Sequence, residues 1–372
     1  MRIAILNLTA GGLSGGYRKY LLATVPRMRQ HPSVSALSVF LPAEAVRDGA
    51  FVGDPWVTLP SLLNPSGRRA LRHALDAVAP DVVFIPTGRW LRCSDVPTVV
   101  MARNMEPFAH GVRGNGWSDR VKNVLRAYVA KRAWKKATRV IAVSEHVRDF
   151  LIRSCGIESA KIGLVYHGID AASSFEQAPV PSWPGAPPCD PFVLAVGSIR
   201  PARGLEDVIE AVGLANASGF PLSLVVAGRS DRGTRGYERR MHELAGARGI
   251  ADRVVWAGHL GEPQLSWCFR RCAAFVMTSR AEACPNTALE AMSHGAACVS
   301  TSAAPMPEFF ADSALYYPPA DAGALAGALR RVVGAPPSET RRYREAAVRR
   351  ASSFSWDRTV HLTLQQLELA RG

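Results

Sequence analysis

The feature that most restricts the fold is an alternation, met twice along the chain, of short apolar runs with amphipathic segments of ten residues or more. In the first half the short runs fall at 3–8, 34–41, 81–86, 97–102, 139–143 and 162–166, and helical patterns occupy 17–30, 67–79, 118–137 and 145–154. Apolar β-rich runs joined by crossovers of that length predict parallel strands with helices packed over them, a doubly wound α/β domain. The stretch PVPSWPGAPPCDP at 179–191 interrupts the pattern, because its prolines can continue neither a helix nor a central strand. Beyond it the alternation restarts, with strands expected at 192–196, 222–227, 254–256, 274–278 and 297–300 and helices at 205–217, 235–247, 263–272 and 287–294. The expected organisation is a first domain over 1–178, a linker over 179–191 and a second domain over 192–352. A closing amphipathic segment, 353–372, comes after the second sheet is complete and needs a surface to pack on.

Composition agrees with this size and class. A chain of 372 residues holds two domains at about 150 residues each. With 48% hydrophobic and 20% charged residues it is neither disordered, collagen-like nor a coiled coil. The net charge of +14 favours anionic partners. Seven cysteines, an odd number with no CxxC pair, suggest neither a disulfide framework nor a zinc ribbon, so a reducing, cytoplasmic compartment is expected. The N-terminal residues turn glycine-rich after one short apolar run, unlike a signal peptide, and no run reaches 18 apolar residues.

The segment most suggestive of chemistry is Arg280-Ala-Glu-Ala-Cys-Pro-Asn-Thr-Ala-Leu-Glu-Ala-Met292, directly after the strand AAFVMTS. Asn286 is a good N-cap and Gly295 a good stop, so a helix is expected from Thr287 to about His294. The amides of Thr287 and Ala288 would then stand unpaired at the positive end of a helix and the carboxyl end of a parallel strand, which suits a phosphate. Glu290 lies about 5 Å further along the axis, where a carboxylate can accept from a ribose. Glu282, on the loop before the helix, can point into the same cleft. On spacing alone these two glutamates are equally well read as solvated charges.

Two glutamates separated by seven residues, followed by Ala-Met and preceded by a strand ending in Ser, resemble the hallmark of the retaining glycosyltransferases of family 4, which have the GT-B fold. The resemblance extends along the chain: VLAVGSIRPARGLEDVIEA resembles the family's donor-site strand and loop, RVIAVSEHVRDFL its last N-domain strand and helix, VYHGID its interdomain entry, and FSWDRTVHLTLQQLE its closing helix. It implies two Rossmann-like α/β domains facing across a cleft, with the C-terminal helix crossing back to the first. By resemblance, Glu290 binds the donor ribose, Glu282 holds hydroxyls of the transferred sugar, and Asn286, Thr287 and Ala288 meet the diphosphate. Cys284-Pro285 replaces the family's usual Phe-Gly. In the donor loop Ser198 stands at the usual Arg position and Arg203 at the usual Lys position, so Arg200 is the candidate for the missing charge that would neutralise the leaving group. Gly258-His259-Leu260 follows a strand where relatives offer backbone groups to the base.

In the first domain Gly15 and Gly16, in AGGLSGG, match paired glycines that let backbone approach phosphate or acceptor at a helix N-terminus. A nicotinamide site is not expected, because the second strand ends in Leu41-Pro42 without an acidic residue. Where the family has a sugar-facing His, this chain has Arg103-Asn104, with His110 six residues on; either Asn104 or His110 takes that contact, or neither does. The stretch 110–139, rich in Lys and Arg and carrying Trp117, Tyr128 and Trp134, offers either a face for anionic lipid headgroups or a solvated basic helix. No recognition motif for nucleic acid accompanies it.

The resemblance implies a retaining hexosyltransferase that moves a sugar from a nucleotide-diphosphate sugar to a glycan or lipid-linked glycan, of the cell-surface polysaccharide or lipopolysaccharide type. No cofactor is implied, and no metal, since no DxD occurs. The catalytic candidates are Glu282, Arg203, Arg200, Asn104 and His110. A sugar-nucleotide epimerase and a non-catalytic sugar-nucleotide-binding protein are the alternatives on this architecture.

Overall fold

The computed structural model describes residues 1–8, 15–42, 56–59, 65–93, 95–109, 117–170 and 179–372. They divide into two compact units, one of Met1–Phe108, Arg120–Gly168 and Ser355–Gly372, the other of Ala109–Asp119 and Ile169–Phe354.

The first unit carries β1 (Arg2–Leu6), β2 (Ala36–Pro42), β3 (Trp56–Leu59), β4 (Val82–Ile85), β5 (Thr98–Ala102), β6 (Arg139–Ala142) and β7 (Ile162–Leu164) in the order β3-β2-β1-β4-β5-β6-β7. All neighbouring pairs are parallel. β4 and β5 are buried at every position, which is why they read as unbroken apolar runs. Local signals close the helices: Ser144 accepts from the Val147 N–H at the start of Glu145–Cys155, and Gly156, at φ 64°, ends it. The C-terminal helix Trp356–Arg371 belongs to this unit and lies against Gly15–Gln30 and strands β4 to β6. Its Trp356, Val360, Leu364 and Leu367 are buried. Gln366 Oε1 accepts from Arg139 Nε and Nη2 at 3.0 and 2.8 Å. A Cβ on Gly163 would fall 2.2 Å from the Gln366 side chain, so a larger residue there would displace that side chain from its hold on Arg139.

The second unit carries β8 (Phe192–Val196), β9 (Ser223–Ala227), β10 (Val254–Gly258), β11 (Ala274–Met277), β12 (Cys298–Thr301) and β13 (Ala314–Tyr317), ordered β10-β9-β8-β11-β12-β13 and again all parallel. Its core joins alternate residues of β8, β9 and β11 to the apolar faces of the helices Leu205–Ala217, Arg235–Ala247 and Ala322–Val333. The strand order reverses between β1 and β4 in one sheet and between β8 and β11 in the other. In open α/β sheets the crevice outside the strands' carboxyl ends at that reversal is where ligands bind.

Among the described residues, two strands and three α-helices are not expected from sequence: β3, β13, Met306–Phe310, Ala322–Val333 and Pro337–Ala351. Both strands are four-residue edges, too short to display a period, and β13 is only half-buried at three of its four positions. Residues 179–191, expected as a linker, hold no helix or strand and fall within the second unit, where Trp183 packs edge-on to Trp267.

Candidate active site in the second unit

Three strands of the second sheet, β8, β9 and β10, reach a glycine at positive φ as they end: Gly197 (140°), Gly228 (154°) and Gly258 (66°). The strand ends pass so closely that a Cβ on Gly228 would lie 1.8 Å from the Gly197 carbonyl oxygen. Gly228 donates its N–H to the Gly258 carbonyl at 2.7 Å, and Gly197 donates to Ala227 at 2.9 Å. The shared ending of VLAVG, LVVAG and VVWAG was the sequence signal for this layer. Only Gly258 was singled out from it, and its carbonyl proves to be occupied by Gly228.

Past Gly197 the chain runs through exposed Ser198 and half-buried Arg200 into the turn Pro201–Arg203, closed by Gly204 at φ 60°. A Cβ on Gly204 would stand 2.6 Å from the Thr278 carbonyl at the end of β11. The two loops are tied further: Thr278 Oγ1 donates to the Arg203 carbonyl at 2.6 Å, and the Arg280 N–H donates to Ala202 at 2.8 Å. Arg203 therefore projects across the β8/β11 reversal. Its Nη1 donates to Ser279 Oγ at 3.1 Å and to the Glu282 carboxylate. The ion pair is largely shielded, with the side chains 20% and 12% exposed, so it is held more firmly than a surface pair. Arg203 Nε is buried and has no hydrogen-bond partner among the described residues. A small cavity at this point is lined by Gly197, Arg203, Thr278 and Ser279 over Ala195 and Val276.

The helix expected from Thr287 begins one residue earlier, at Asn286, with Pro285 in the capping position and Ser293 as its last residue. Proline lacks the N–H that a capping position leaves unused. Asn286 is thus inside the helix rather than its cap, and its N–H donates to the Cys284 carbonyl at 3.1 Å. The Ala288 amide, expected to be unpaired, donates to the Pro285 carbonyl at 2.9 Å. That leaves the Thr287 amide, at the second helical position, as the one of the three that makes no backbone hydrogen bond among the described residues. Thr287 Oγ1 leans on Met277 Sδ at 3.9 Å, and half-buried Glu290 follows one turn later.

A second charged set supports the loop from behind. Asp207, in the first turn of Leu205–Ala217 and 5% exposed, accepts from Arg280 Nη2 at 2.7 Å, from the Ala320 N–H at 3.1 Å and from Tyr317 Oη at 3.3 Å. Burial raises the Asp207 pKa even though Arg280 and the two other donors pull it down. Asp207 and Arg280 carried no role in the sequence reading. Nothing in the order LEDVIEA distinguishes a buried aspartate from a solvated one at a helix start.

The other candidates fall elsewhere. Leu260 is 5% exposed, so any contact it offers is through its backbone. Gly15 and Gly16 open the helix Gly15–Gln30 of the first unit. A Cβ on Gly15 would meet nothing within 4 Å among the described residues, so their packing does not demand glycine there. Asn104, also in the first unit, is exposed, and its Oδ1 accepts from the Glu106 N–H at 3.0 Å, turning the loop into Glu106–Phe108. His110 lies outside the described residues. Among the described residues no group of three or more His, Cys, Asp or Glu converges as a metal site.

The sequence profile described as Glycosyl transferases group 1 matches residues 184–350, and that described as Glycosyltransferase Family 4 matches residues 20–173. The chain belongs to the group 1, family 4 glycosyltransferases. This glycosyltransferase is 22% identical over 347 residues to the O-antigen chain mannosyltransferase RfbU of Salmonella typhimurium, covering 91% of this chain and 93% of that one. It is 27% identical over 280 residues to a glycogen synthase of Mycobacterium tuberculosis, a match spanning 73% of this chain and 63% of the relative. Among solved structures, Anabaena Alr3699/HepE in complex with UDP superposes with a TM-score of 0.74 at 16% identity over 99% of this chain and 100% of that one. The lipopolysaccharide outer core galactosyltransferase WaaB superposes with a TM-score of 0.70 at 16% identity, covering 99% of each chain. The glycosyltransferase has the two-domain GT-B fold that these similarities share.

Proposed function

We propose that this glycosyltransferase transfers a hexose from a nucleoside-diphosphate sugar to a glycan or lipid-linked glycan acceptor, with retention of anomeric configuration and without a metal ion. The observation that carries the donor assignment is Arg203, whose buried Nε–H has no partner among the described residues and whose Nη1 holds Glu282, on the loop that leads into Asn286–Ser293 at the sheet's reversal point. As the bond to the leaving group lengthens, negative charge grows on the diphosphate, and the Arg203 fork and the Thr287 amide receive it. Glu282 accepts from hydroxyls of the sugar and Glu290 from the ribose. Arg200 supplies a second positive charge to the same loop. A UDP complex of a structural relative and the mannosyl- and galactosyltransferase relatives of O-antigen and lipopolysaccharide support the donor class and the glycan acceptor.

Front-side displacement fits this residue set, with the departing diphosphate taking the acceptor's proton. Glu282 is paired to Arg203, and a carboxylate so engaged is a weak nucleophile. Ligand-observed binding with UDP-, GDP- and other sugar nucleotides identifies the donor. Glu290→Ala and Arg203→Ala should then each abolish tight binding of that donor in calorimetry while the protein stays folded; unchanged affinity in both variants would remove the donor site from this place. With an acceptor present, nucleoside diphosphate should be released, the product should keep the donor's anomeric configuration by NMR, and EDTA should leave the rate unchanged. Release without any acceptor product would point to a different reaction.

A further inference from the structure

The helix Trp117–Lys136 changes the character of its outward face along its length. Ala130, Ala133 and Trp134 are buried and mark the inward side. By the 100° turn per residue, positions 121, 124, 125 and 128 lie opposite them. Those positions hold Val121, Val124, Leu125 and Tyr128, exposed by 50, 71, 63 and 61%. With Val129 they make up half of the ten large apolar side chains left exposed among the described residues. One to two turns later the same outward side is taken over by Arg132, Lys135 and Lys136, all exposed. Between 120 and 136 there are seven Lys and Arg residues and no Asp or Glu. Small alanines and one tryptophan satisfy the inward packing, so the outward stripe does nothing for the fold.

We propose that this helix is a docking surface for an anionic lipid bilayer, with Val121, Val124, Leu125 and Tyr128 entering the acyl boundary and Arg132, Lys135 and Lys136 meeting headgroup phosphates. The pairing of chemistries selects this partner. A second copy of the chain would bring one strongly basic face onto another. A nucleic acid would engage the cations and leave four aliphatic and aromatic side chains against water. A bilayer offers negative charge and hydrocarbon within the few ångströms that an interfacial helix spans. The proposal is independent of the donor-site reading, because all residues of that site belong to the second unit and Arg120–Lys136 belongs to the first.

The test uses the full chain with vesicles of phosphatidylcholine alone and of equal phosphatidylcholine and phosphatidylglycerol. The protein should co-sediment with the mixed vesicles only, and hydrogen exchange over 120–130 should slow when they are added. Val124→Glu with Leu125→Glu, and separately Arg132→Glu with Lys135→Glu, should each weaken binding by about tenfold or more. The thermal midpoint should not move, since all four positions are exposed. Raising salt from about 0.1 to 0.5 M should weaken the wild type comparably, as screening shortens the reach of its charges. Equal binding to both vesicles, binding to neither, or an apolar pair variant that binds like the wild type would overturn the proposal. A dimer in sedimentation velocity that Leu125→Glu dissolves would instead assign the face to a second copy.

Discussion

Arg203 is held by two acceptors that differ in kind, the neutral Ser279 hydroxyl and the charged Glu282 carboxylate. A diphosphate competes with the second for the same guanidinium. Glu282→Gln keeps the shape and removes the competing charge. Nucleoside diphosphate alone should therefore bind the variant about three- to tenfold more tightly, on the order of 1 kcal/mol. Turnover of the intact sugar nucleotide should fall about 100-fold in kcat/KM, roughly 2.7 kcal/mol of lost transition-state stabilisation. If calorimetry shows diphosphate affinity falling as well, Glu282 orients Arg203 rather than competing for it. The cysteines divide at the same scale. Burial pushes Cys93 up to about 11 and Cys268 and Cys272 to about 12, and raises Cys155 and Cys298 too. A raised thiol stays protonated until the pH climbs to its own value, so these five are unreactive near pH 8, whereas Cys189 is exposed and Cys284 half-buried. Iodoacetamide at pH 8 should modify Cys189 and Cys284 in the folded protein and all seven in urea, read by peptide mass mapping. A sugar nucleotide should slow only Cys284, two residues from Glu282.

Among the elements, the glycine layer at the ends of β8, β9 and β10 tolerates least. Gly228 stands at φ 154° with backbone 1.8 Å from the place of a Cβ, so no rotamer change can relieve an alanine. Gly228→Ala should cost about 2–4 kcal/mol, lowering the melting temperature by roughly 5–15 °C, and should displace the donor loop. Gly246→Ala is the contrast: it sits inside the helix Arg235–Ala247 with nothing within 4 Å, and should stabilise by up to about 1 kcal/mol. The difference between these two glycines was not legible in the sequence. Strand 192–196 and helices 205–217 and 235–247 were read at their observed bounds because their periods are local. The demand on Gly228 arises where two strand ends cross, 31 positions apart along the chain. Likewise Glu282 and Arg203 could be singled out by resemblance, while their contact with one another, and the hold of Asp207 on Arg280, exist only once β8 and β11 are neighbours. The capping error at Asn286 has a different origin. Its residue type favours a cap, but Pro285 before it already fills that position.

At the level of the whole molecule, the first unit is discontinuous: its sheet is finished by Leu164, yet its last helix, Trp356–Arg371, follows the entire second unit. Removing residues 355–372 would expose the pocket filled by Trp356, Val360, Leu364 and Leu367, each a fully buried apolar side chain worth about 1.5–3 kcal/mol. The sum is comparable with the about 5–15 kcal/mol that holds a typical domain together. Limited proteolysis of the truncated chain should degrade residues 1–168 and leave a resistant fragment near 169–354; protection of both would show the closing helix to be dispensable. The same arrangement sets an order of assembly during synthesis. The ribosome releases the second unit complete while the first still lacks a helix, and at about 5–20 residues per second the roughly 190 intervening residues take on the order of 10–40 s. Throughout that interval the first-made sheet keeps an uncovered apolar face, so the N-terminal half of this chain is the part that chaperones must shelter during translation.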